Sequence, residues 1–358
     1  MALFGKFHVD ILPINSLNFG TIILLPKGTE AKQIQQYRPI CLLNVSFKIF
    51  TKVITNRVVK IAQRIIKPTQ TAFLPGRNIM EGAVILHETH ELHVKKQSGV
   101  IFKIDFEKAY DNIRWDFLQQ TLRIFKPRKA GDKVIFVPIL FNIVVDTLAI
   151  ILDRAKSYGQ VRGVIPHLID EGLSILQYAD DTIIFMDHDI EQAKNLKLIL
   201  SLFEQLSGLK INFHKSEIFC FGQVKESEDY YSALFGCKVE QDALHRGKID
   251  FVELSPIELA YVYALFFEAP KGVLKKIEHY RSRFFWQNDN HKKKYRLVKW
   301  YLLCQPKEQG GLGVQNLYIQ NKCLLSKWLF KLCNEDGMWQ SLLRNKYLSN
   351  KTLSPKDL

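Results

Sequence analysis

Apolar residues fall into short runs along the chain, and the spacing within each run predicts the local structure. The runs TIILLPKG (21–28) and GVIFKID (99–105) are rich in β-branched and aromatic residues, which is typical of strands. The stretch LSILQYADDTIIFM (173–186) has two apolar arms around a polar centre. We therefore expect a strand, a tight turn and a second strand over these residues.

Four longer segments carry apolar residues at helical spacing, and they predict helices over 42–66, 108–125, 138–155 and 189–208. Proline opens the third segment, and Gly208 closes the fourth, as is common at helix starts and ends. Strands set among helices predict an α+β fold. The first helix should be amphipathic, with its apolar stripe formed by Ile49, Val53, Val58 and Ile61.

The charge balance narrows the class of partner. The 358 residues include 50 Lys and Arg against 36 Asp and Glu, for a net charge of +14. This excess favours a polyanionic partner, with nucleic acid first and an acidic membrane surface second. The six cysteines form no CxxC pair, and the chain has neither a secretory signal nor an uninterrupted apolar run long enough to span a membrane. These features predict an intracellular protein without a transmembrane segment.

Two carboxylates, Asp180 and Asp181, interrupt the apolar run at 173–186. Adjacent carboxylates repel each other and lose hydration beside a core, and a divalent cation would resolve both problems. The alternative interpretation is a solvated turn, since Asp is common in turns. Asp105 ends the predicted strand at 99–105, and an antiparallel sheet would bring it beside Asp180. Such a cluster can hold two metal ions for an in-line phosphoryl displacement.

Several segments in this order resemble one family. KIDFEKAYDNIRWDFL, PILFNIVVDTLAIIL, QYADDTIIF and SGLKINFHKSEIF look like the palm of a reverse transcriptase from plant LINE-type (non-LTR) retrotransposons. Upstream, LLPKG, QYRPICLLNVSFKIFTKVITNRV and PTQTAFLPGRNIMEGAVILHE are similar to its fingers. The resemblance implies a right-hand polymerase fold with fingers, an antiparallel palm sheet and a mostly helical basic C-terminal region.

The resemblance also implies roles for individual residues. Asp105 and Asp180 would hold two Mg²⁺ or Mn²⁺ ions, with Asp181 the less certain ligand. Phe106 would offer its backbone carbonyl to a metal, and Tyr110 would exclude a ribose 2′-hydroxyl. Lys27 and Arg38 would neutralise the charge of the triphosphate. Lys215 would protonate the departing pyrophosphate, with Lys210 as the competing candidate for that role. Implied partners are an RNA template, a DNA primer and deoxynucleoside triphosphates.

The resemblance predicts five regions and two departures from the family pattern. A segment ending in an RQGDPLSP-type motif is expected between the first carboxylate and PILFN, where only RIFKPRKAGDKVIFV stands (123–137). A YLG-type primer grip is also expected where FGCKVEQDALHRGKIDFVELSP stands. We therefore expect a truncated copy with internal deletions, and an apolar face left exposed on the helix at 138–155. The predicted regions are an N-terminal segment (1–16), fingers (17–98), a shortened palm (99–222), a degraded connection (223–270) and the C-terminal region (271–358).

Basic and aromatic residues alternate in the segment 271–300, which has ten Lys and Arg against two acidic residues. A helix there would turn Val273, Ile277, Tyr280 and Phe284 toward the core and its charges outward. Alternatively, exposed aromatics would stack on unpaired bases while the cations contact phosphates. The predicted nucleic-acid contacts are Lys275, Lys276, Arg281, Arg283, Lys292, Lys293 and Lys294.

Two functional hypotheses follow, from different classes. The first is an RNA-directed DNA polymerase that works with two divalent ions. The second is a catalytically dead retroelement remnant that at most binds nucleic acid without sequence preference. A ribonuclease H or endonuclease is poorly supported, because no further acidic cluster of suitable spacing occurs in the sequence.

Overall fold

The computed structural model describes residues 5, 19–26, 28, 30–96, 98–124, 138–239, 268–287 and 297–348. Its strands are β1 (Gly20–Pro26), β2 (Tyr37–Leu43), β3 (Ser98–Ile104), β4 (Ile175–Tyr178), β5 (Asp181–Met186), β6 (Glu217–Gly222) and β7 (Lys238–Val239). Its α-helices are α1 (Val45–Ile65), α2 (Ile79–Lys96), α3 (Trp115–Ile124), α4 (Pro138–Ser157), α5 (Ile190–Ser207), α6 (Glu228–Phe235), α7 (Lys271–Gln287), α8 (Trp300–Leu303), α9 (Leu317–Asn334) and α10 (Met338–Leu343).

Five strands form one sheet, in the order β4-β5-β3-β6-β7. We call it the main sheet. Its first four strands pair antiparallel, and β7 pairs parallel to β6. The hairpin β4–β5, here called the acidic hairpin, lies beside β3 with Ile104 opposite Thr182. This register sets the end of β3 next to the tip of the hairpin. The expected α+β class with an antiparallel sheet is confirmed.

Alternating side chains divide the main sheet into two covered faces, as the two-residue period of a strand requires. On one face, Val100, Phe102 and Ile104 pack in a core with α4 and α5. On the other face, Ile101 and Phe185 pack in a second core with α2 and α10. Helices on both faces explain why the strands read as nearly continuous apolar runs.

Helix α4 begins at Pro138 and is buried along nearly its whole length. Phe141, Val144 and Leu148 are fully buried in the core of the first face. The expectation of an exposed apolar face on this helix is therefore wrong. The elements packed around it, α1, α3, α5 and the main sheet, supply its cover.

Two predicted apolar stripes are displaced. In α1, Val53 and Val58 are half-buried, and Val58 packs against the core of the first face. Ile49 is 57% and Ile61 is 47% exposed, whereas Phe50 and Ala62 are buried. In α7, the four residues predicted to face the core are exposed, and Leu274 and Ser282 are buried instead. Both segments are helices, so the spacing predicted the element correctly. The predicted apolar side is right at Val53 and Val58 of α1 and wrong at its other two residues and in α7. The four exposed residues of α7 are Val273, Ile277, Tyr280 and Phe284.

The C-terminal helices α9 and α10 dock on α2. Lys331 pairs with Glu81 at 3.5 Å, and Lys346 pairs with Glu88 and Glu91. Trp339 is buried in the core of the second face, where it meets the ring of Trp328 edge-on. These contacts join the C-terminal helices to the main sheet. The limits of the five predicted regions stay a prediction.

The two strands β1 and β2 form a separate two-stranded sheet, here called the outer hairpin. Apolar side chains occupy both of its faces, and most of them are exposed. The strand predicted at the start of this segment is confirmed, since β1 ends at Pro26. Lys27, which follows it, lies outside the described residues.

Candidate active site

The tip of the acidic hairpin carries the paired carboxylates. Tyr178 pairs with Asp181, so Ala179 and Asp180 make the two-residue turn between the strands. Ala179 has a φ of 55°, the left-handed region that such hairpin turns require. Asp180 and Asp181 are both half-buried. The polar interruption of the apolar run is thus a tight turn held at the end of the main sheet.

Asp105 follows β3 directly and lies at the same end of the sheet. Its backbone N–H donates to Ser216 Oγ at 3.1 Å, and its carbonyl accepts from Asn212 at 2.8 Å. Burial raises the pKa of the Asp105 carboxyl; Lys215 opposes this shift, and the charge of Asp180 adds to it. The register of β3 against the acidic hairpin therefore places Asp105 and Asp180 at the same end of the main sheet.

Backbone pairing orients the carbonyl of Phe106. Phe106 lies opposite Ile211 in an isolated antiparallel bridge, and the flanking bonds run from Asn212 N–H to the Asp105 carbonyl and from Glu107 N–H to Lys210. Because successive peptide groups of a strand point to opposite sides, the carbonyl of Phe106 points away from this partner strand. It therefore faces the side on which the acidic hairpin lies.

Tyr110 closes the other side of the carboxylates. Its ring stacks on Phe141 at 4.3 Å between centroids, and 39% of its surface remains exposed. Burial, together with the charges of Asp180 and Asp181, raises the pKa of the Tyr110 hydroxyl to about 12. The phenol is therefore neutral at physiological pH, and its partly exposed ring forms a wall beside the acidic turn.

The other predicted site residues lie on three further elements, the loop before β6, the outer hairpin and α7, or outside the described residues. Lys215 is exposed on the loop before β6, and its charge opposes the rise that burial causes in the pKa of Asp105. Arg38 is exposed on β2 of the outer hairpin, opposite Leu25. Lys275, Lys276 and Arg283 are exposed on α7, whereas Arg281 is paired with Glu278 at 3.0 Å. The remaining predicted contacts lie outside the described residues: Lys27, Lys292, Lys293 and Lys294.

Residues 25–253, about two thirds of the chain, match the model of one protein family, described as reverse transcriptase (RNA-dependent DNA polymerase). The chain belongs to the reverse transcriptase family.

Curated relatives of this reverse transcriptase chain include a transposon protein. The chain is 30% identical over 135 residues to the uncharacterized 149 kDa protein of transposon TX1 from Xenopus laevis. The matched stretch covers 36% of the chain and 10% of that protein. The chain is also 37% identical over 79 residues to a putative ribonuclease H protein of Arabidopsis thaliana. This stretch covers 22% of the chain and 13% of that protein.

A third relative is an uncharacterized mitochondrial protein of Arabidopsis thaliana, 34% identical over 95 residues, with 26% of the chain and 62% of that protein covered. The chain thus spans about a tenth of the first two relatives. Among solved structures, telomerase from Candida albicans in complex with a telomeric RNA fragment matches 99% of the chain and 62% of its own, at 11% identity and a TM-score of 0.41.

Reverse transcriptases generally use divalent metal ions. The question is therefore whether the oxygen donors of this site suit such an ion. Within the described residues, no group of three or more His, Cys, Asp or Glu side chains is arranged to hold a metal. The donors present are the carboxylates of Asp105 and Asp180, with the Phe106 carbonyl on their side. This set suits Mg²⁺, which binds one or two carboxylates and completes its shell with water and substrate phosphates. The raised pKa of Asp105 fits the same conclusion, because a bound cation would stabilise the ionised pair.

No helix in the described part of this reverse transcriptase chain is both long and apolar enough to cross a membrane.

Residues of the loop between α1 and α2 were missed by sequence reasoning. Gln70 is fully buried and hydrogen-bonds to Ala179 in the acidic turn. Its partner lies 109 residues away in the chain, so no periodic pattern marks it. The one available signal is a run of polar residues, PTQT, between an apolar helix and an apolar loop.

Proposed function

We propose that this chain is the RNA-directed DNA polymerase domain of a LINE-type (non-LTR) retrotransposon. One observation carries the proposal: Asp105 ends β3 beside the turn that bears Asp180, within a chain of the reverse transcriptase family. The transposon relative supports the element type, and the two relatives from Arabidopsis support a plant source.

In the proposed reaction, a primer 3′-hydroxyl loses its proton to solvent and its oxygen bonds to the α-phosphorus of a deoxynucleoside triphosphate, while the bond from that phosphorus to the bridging oxygen breaks and pyrophosphate leaves. Two Mg²⁺ or Mn²⁺ ions would supply Lewis-acid activation of the 3′-hydroxyl and charge neutralisation at the leaving group. Asp105 and Asp180 would hold these ions, Asp181 would assist, and the Phe106 carbonyl would complete the donor set. Lys215 donates a proton to the departing pyrophosphate, a role for which its effect on Asp105 makes it the first candidate over Lys210.

Binding of the nucleotide uses residues beside the carboxylates. Tyr110, whose ring stacks on Phe141, is proposed to pack against the sugar and to exclude a 2′-hydroxyl. Arg38, on the outer hairpin, contacts the triphosphate, and Lys27, which lies outside the described residues, is proposed for the same role, since charge-assisted bonds to phosphate are strong. The RNA template and DNA primer are the proposed macromolecular partners.

Primer extension on poly(rA)/oligo(dT) with Mg²⁺ or Mn²⁺ tests this proposal. We expect weak incorporation that Asp180→Asn abolishes, while affinity for the template-primer stays within about twofold, since a carboxylate at the metal site repels rather than attracts phosphate. Incorporation by Asp180→Asn at the wild-type rate would refute the assigned chemistry.

A second candidate is a catalytically dead remnant that binds nucleic acid through its charge. The exposed surface of α7 favours it, because Lys275, Lys276 and Arg283 lie on the same helix as the exposed aromatics Tyr280 and Phe284. Cations there would contact phosphates and the rings would stack on bases. Complete absence of primer extension together with salt-dependent binding would select this candidate, whereas affinity that ignores ionic strength would exclude it.

We also propose that the copy is internally shortened between α3 and α4. The support is sequence-based: 125–137 stands where the resembling family carries a longer segment. Sequencing the transcript and the genomic DNA around this position tests the proposal, because an intact family motif in either would contradict it.

A further inference from the structure

A single buried side chain holds the backbone of Ala179, the first residue of the turn that bears Asp180. Gln70 has no exposed surface, and its Oε1 accepts from the N–H of Ala179 at 3.0 Å and of Ala72 at 3.1 Å. Its Nε2 donates to the carbonyl of Ala179 at 3.4 Å. Because the oxygen of the Gln70 amide accepts from two N–H groups and its nitrogen donates to a carbonyl, only one orientation of this amide satisfies all three bonds. Gln70 therefore binds both polar backbone groups of Ala179.

Ala179 needs such support. Its φ of 55° costs a residue with a Cβ about 1–2 kcal/mol, and such conformations persist only where the surroundings fix them. Asp180 follows directly, so any relaxation of Ala179 toward ordinary backbone angles rotates the Asp180 carboxylate away from Asp105. The position of a carboxylate thus depends on a backbone conformation that is unfavourable by itself.

The segment around Gln70 also pairs with the strand that leads into the turn. The N–H of Thr71 donates to the Gln177 carbonyl at 2.9 Å, and the N–H of Gln177 donates to the Thr69 carbonyl at 2.9 Å. These bonds form a parallel bridge between Gln70 and Gln177, on the outer side of β4. The hydroxyl of Thr71 bonds to Gln177 as well, at 3.1 Å. Gln70 therefore reaches the turn from a backbone that is itself attached to β4.

The other end of the segment is anchored by charged groups. The guanidinium of Arg77 donates to three carbonyls, those of Ile66, Lys67 and Gln70, at 2.6–2.8 Å. The carboxylate of Asp146, on the buried helix α4, accepts from the Lys67 N–H at 3.1 Å. A side chain that is to fix another group must itself be fixed, and these bonds supply that rigidity.

We propose that Gln70 is a positioning residue of the polymerase site, which grips the Ala179 peptide and thereby aims Asp180 at Asp105. The inference rests on the proposed function for its consequence in catalysis, but the grip itself is a property of the metal-free protein. Groups of this kind, one step removed from the metal ligands, typically change metal affinity by about 10–100-fold when they are altered.

The test compares Gln70→Met with Gln192→Met. Gln192 is also a buried amide, whose Oε1 accepts from the Arg162 N–H at 2.8 Å and whose Nε2 donates to Asp189 at 2.8 Å, beyond the opposite end of β5. Each substitution keeps side-chain length and removes the same kind of bonds. The first readout is hydrogen exchange of the Ala179 amide in metal-free protein. The second is Mn²⁺ affinity, followed by electron paramagnetic resonance.

In Gln70→Met we expect the Ala179 amide to exchange about tenfold faster, which corresponds to the loss of one buried hydrogen bond. We expect Mn²⁺ affinity to fall at least about tenfold. Gln192→Met should leave both readouts at the wild-type values. Unchanged exchange in a folded Gln70→Met protein, or an equal effect of Gln192→Met, would overturn the proposal.

A second variant covers the case in which Gln70→Met does not fold. In Gln70→Glu, the protonated carboxyl keeps one acceptor and one donor, whereas the ionised form repels the Ala179 carbonyl. The ionised form still accepts from the Ala179 N–H, so protection of that amide, corrected for intrinsic exchange, should fall in part as the carboxyl ionises and the repelled carbonyl loosens the turn. Protection that stays constant with pH would count against the grip. If the wild type binds no Mn²⁺, the proposed function fails, and the Ala179 protection factors still decide the role of Gln70.

Discussion

The acidic hairpin and the outer hairpin are built from similar sequence and differ in what surrounds them. Both are antiparallel pairs rich in Ile and Leu. In β5, every residue after Asp181 is buried, whereas in β1 every residue after Gly20 is exposed. An apolar run thus specifies a strand in both cases, and neighbouring elements decide whether the strand becomes part of a rigid core.

This difference determines how well each hairpin can position a charged side chain. The acidic hairpin has β3 on one side, the Gln70 segment on the other, and helices over both faces. The outer hairpin is a two-stranded sheet, an arrangement that is only marginally stable without cover. Asp180 therefore has a fixed position even without a ligand. We expect the side chain of Arg38 to become fixed only when a triphosphate binds.

The largest expected effect is on catalysis at the carboxylates where β3 meets the acidic hairpin. Asp105→Asn should lower primer extension by roughly a thousandfold and weaken Mn²⁺ binding, because it removes the charge of a proposed metal ligand. The control is Asp116→Asn, since that exposed carboxylate pairs with Arg114 at 2.5 Å on the surface. If both variants lost activity equally, the loss would not be specific to the site.

Paired truncations compare the packing of the two hairpin regions directly. Phe102→Ala, in the fully buried centre of the main sheet, should lower the free energy of unfolding by about 3–5 kcal/mol. Ile22→Ala, at a residue that is 66% exposed on the outer hairpin, should change it by less than about 0.5 kcal/mol. Urea unfolding measures both. A large effect of Ile22→Ala would mean that the outer hairpin is covered in solution.

The anchor beneath the Gln70 segment predicts a pH dependence. Burial raises the pKa of Asp146 from its ordinary value of 3.8 to about 6, against the opposing effects of Lys67 and Arg77. The folded protein therefore holds a proton that the unfolded chain releases near pH 4, and stability falls as pH rises from about 4 to 6. At about 1.4 kcal/mol per pKa unit, ionisation costs on the order of 3 kcal/mol.

Asp146→Asn should remove this dependence, since the amide oxygen can still accept from the Lys67 N–H. We expect the variant to match the wild type below about pH 4 and to be more stable by a few kcal/mol above pH 6. Thermal unfolding between pH 4 and 8 gives the comparison. Parallel curves for the two proteins would show that Asp146 does not ionise in this range.

The smallest expected effect belongs to the outer hairpin. Arg38→Gln should raise the KM for deoxynucleoside triphosphates about fivefold and leave the rate at saturation nearly unchanged, because an exposed cation contributes about 1 kcal/mol to phosphate binding. Steady-state primer extension measures both constants. A large fall in the saturated rate would instead show that the outer hairpin closes on the reacting phosphate.

The sequence predicted the elements of this fold better than their contacts. Strand β3, the acidic hairpin and helices α4 and α5 are confirmed close to their expected limits, because their periodicity is strong and their ends carry Pro138 and Gly208. The stripe of α7 was wrong and that of α1 was right only at Val53 and Val58, since spacing marks an apolar side without saying which flank a neighbour covers. The predicted helix at 108–125 begins only at Trp115, after a turn that starts beside Phe106.

The candidate site was predictable only where its residues stand next to a strand end. Asp105, Asp180 and Asp181 follow from the register of an antiparallel sheet, and the structure brings Asp105 and Asp180 into electrostatic contact. Gln70 was missed because its role depends on contacts across 109 residues and on a backbone angle at Ala179. The assigned roles of the charged residues stay predictions, including those at Lys27 and Lys292–Lys294, outside the described residues.

The bridge between Gln70 and Gln177 has a consequence for association between molecules. Strand β4 is the last strand on its side of the main sheet, and an open edge of this kind can recruit a strand from another chain. Residues 69–71 occupy that edge and prevent such intermolecular β-pairing. Variants that loosen this loop should therefore be checked for self-association by light scattering, because an uncovered β4 would make them prone to aggregate.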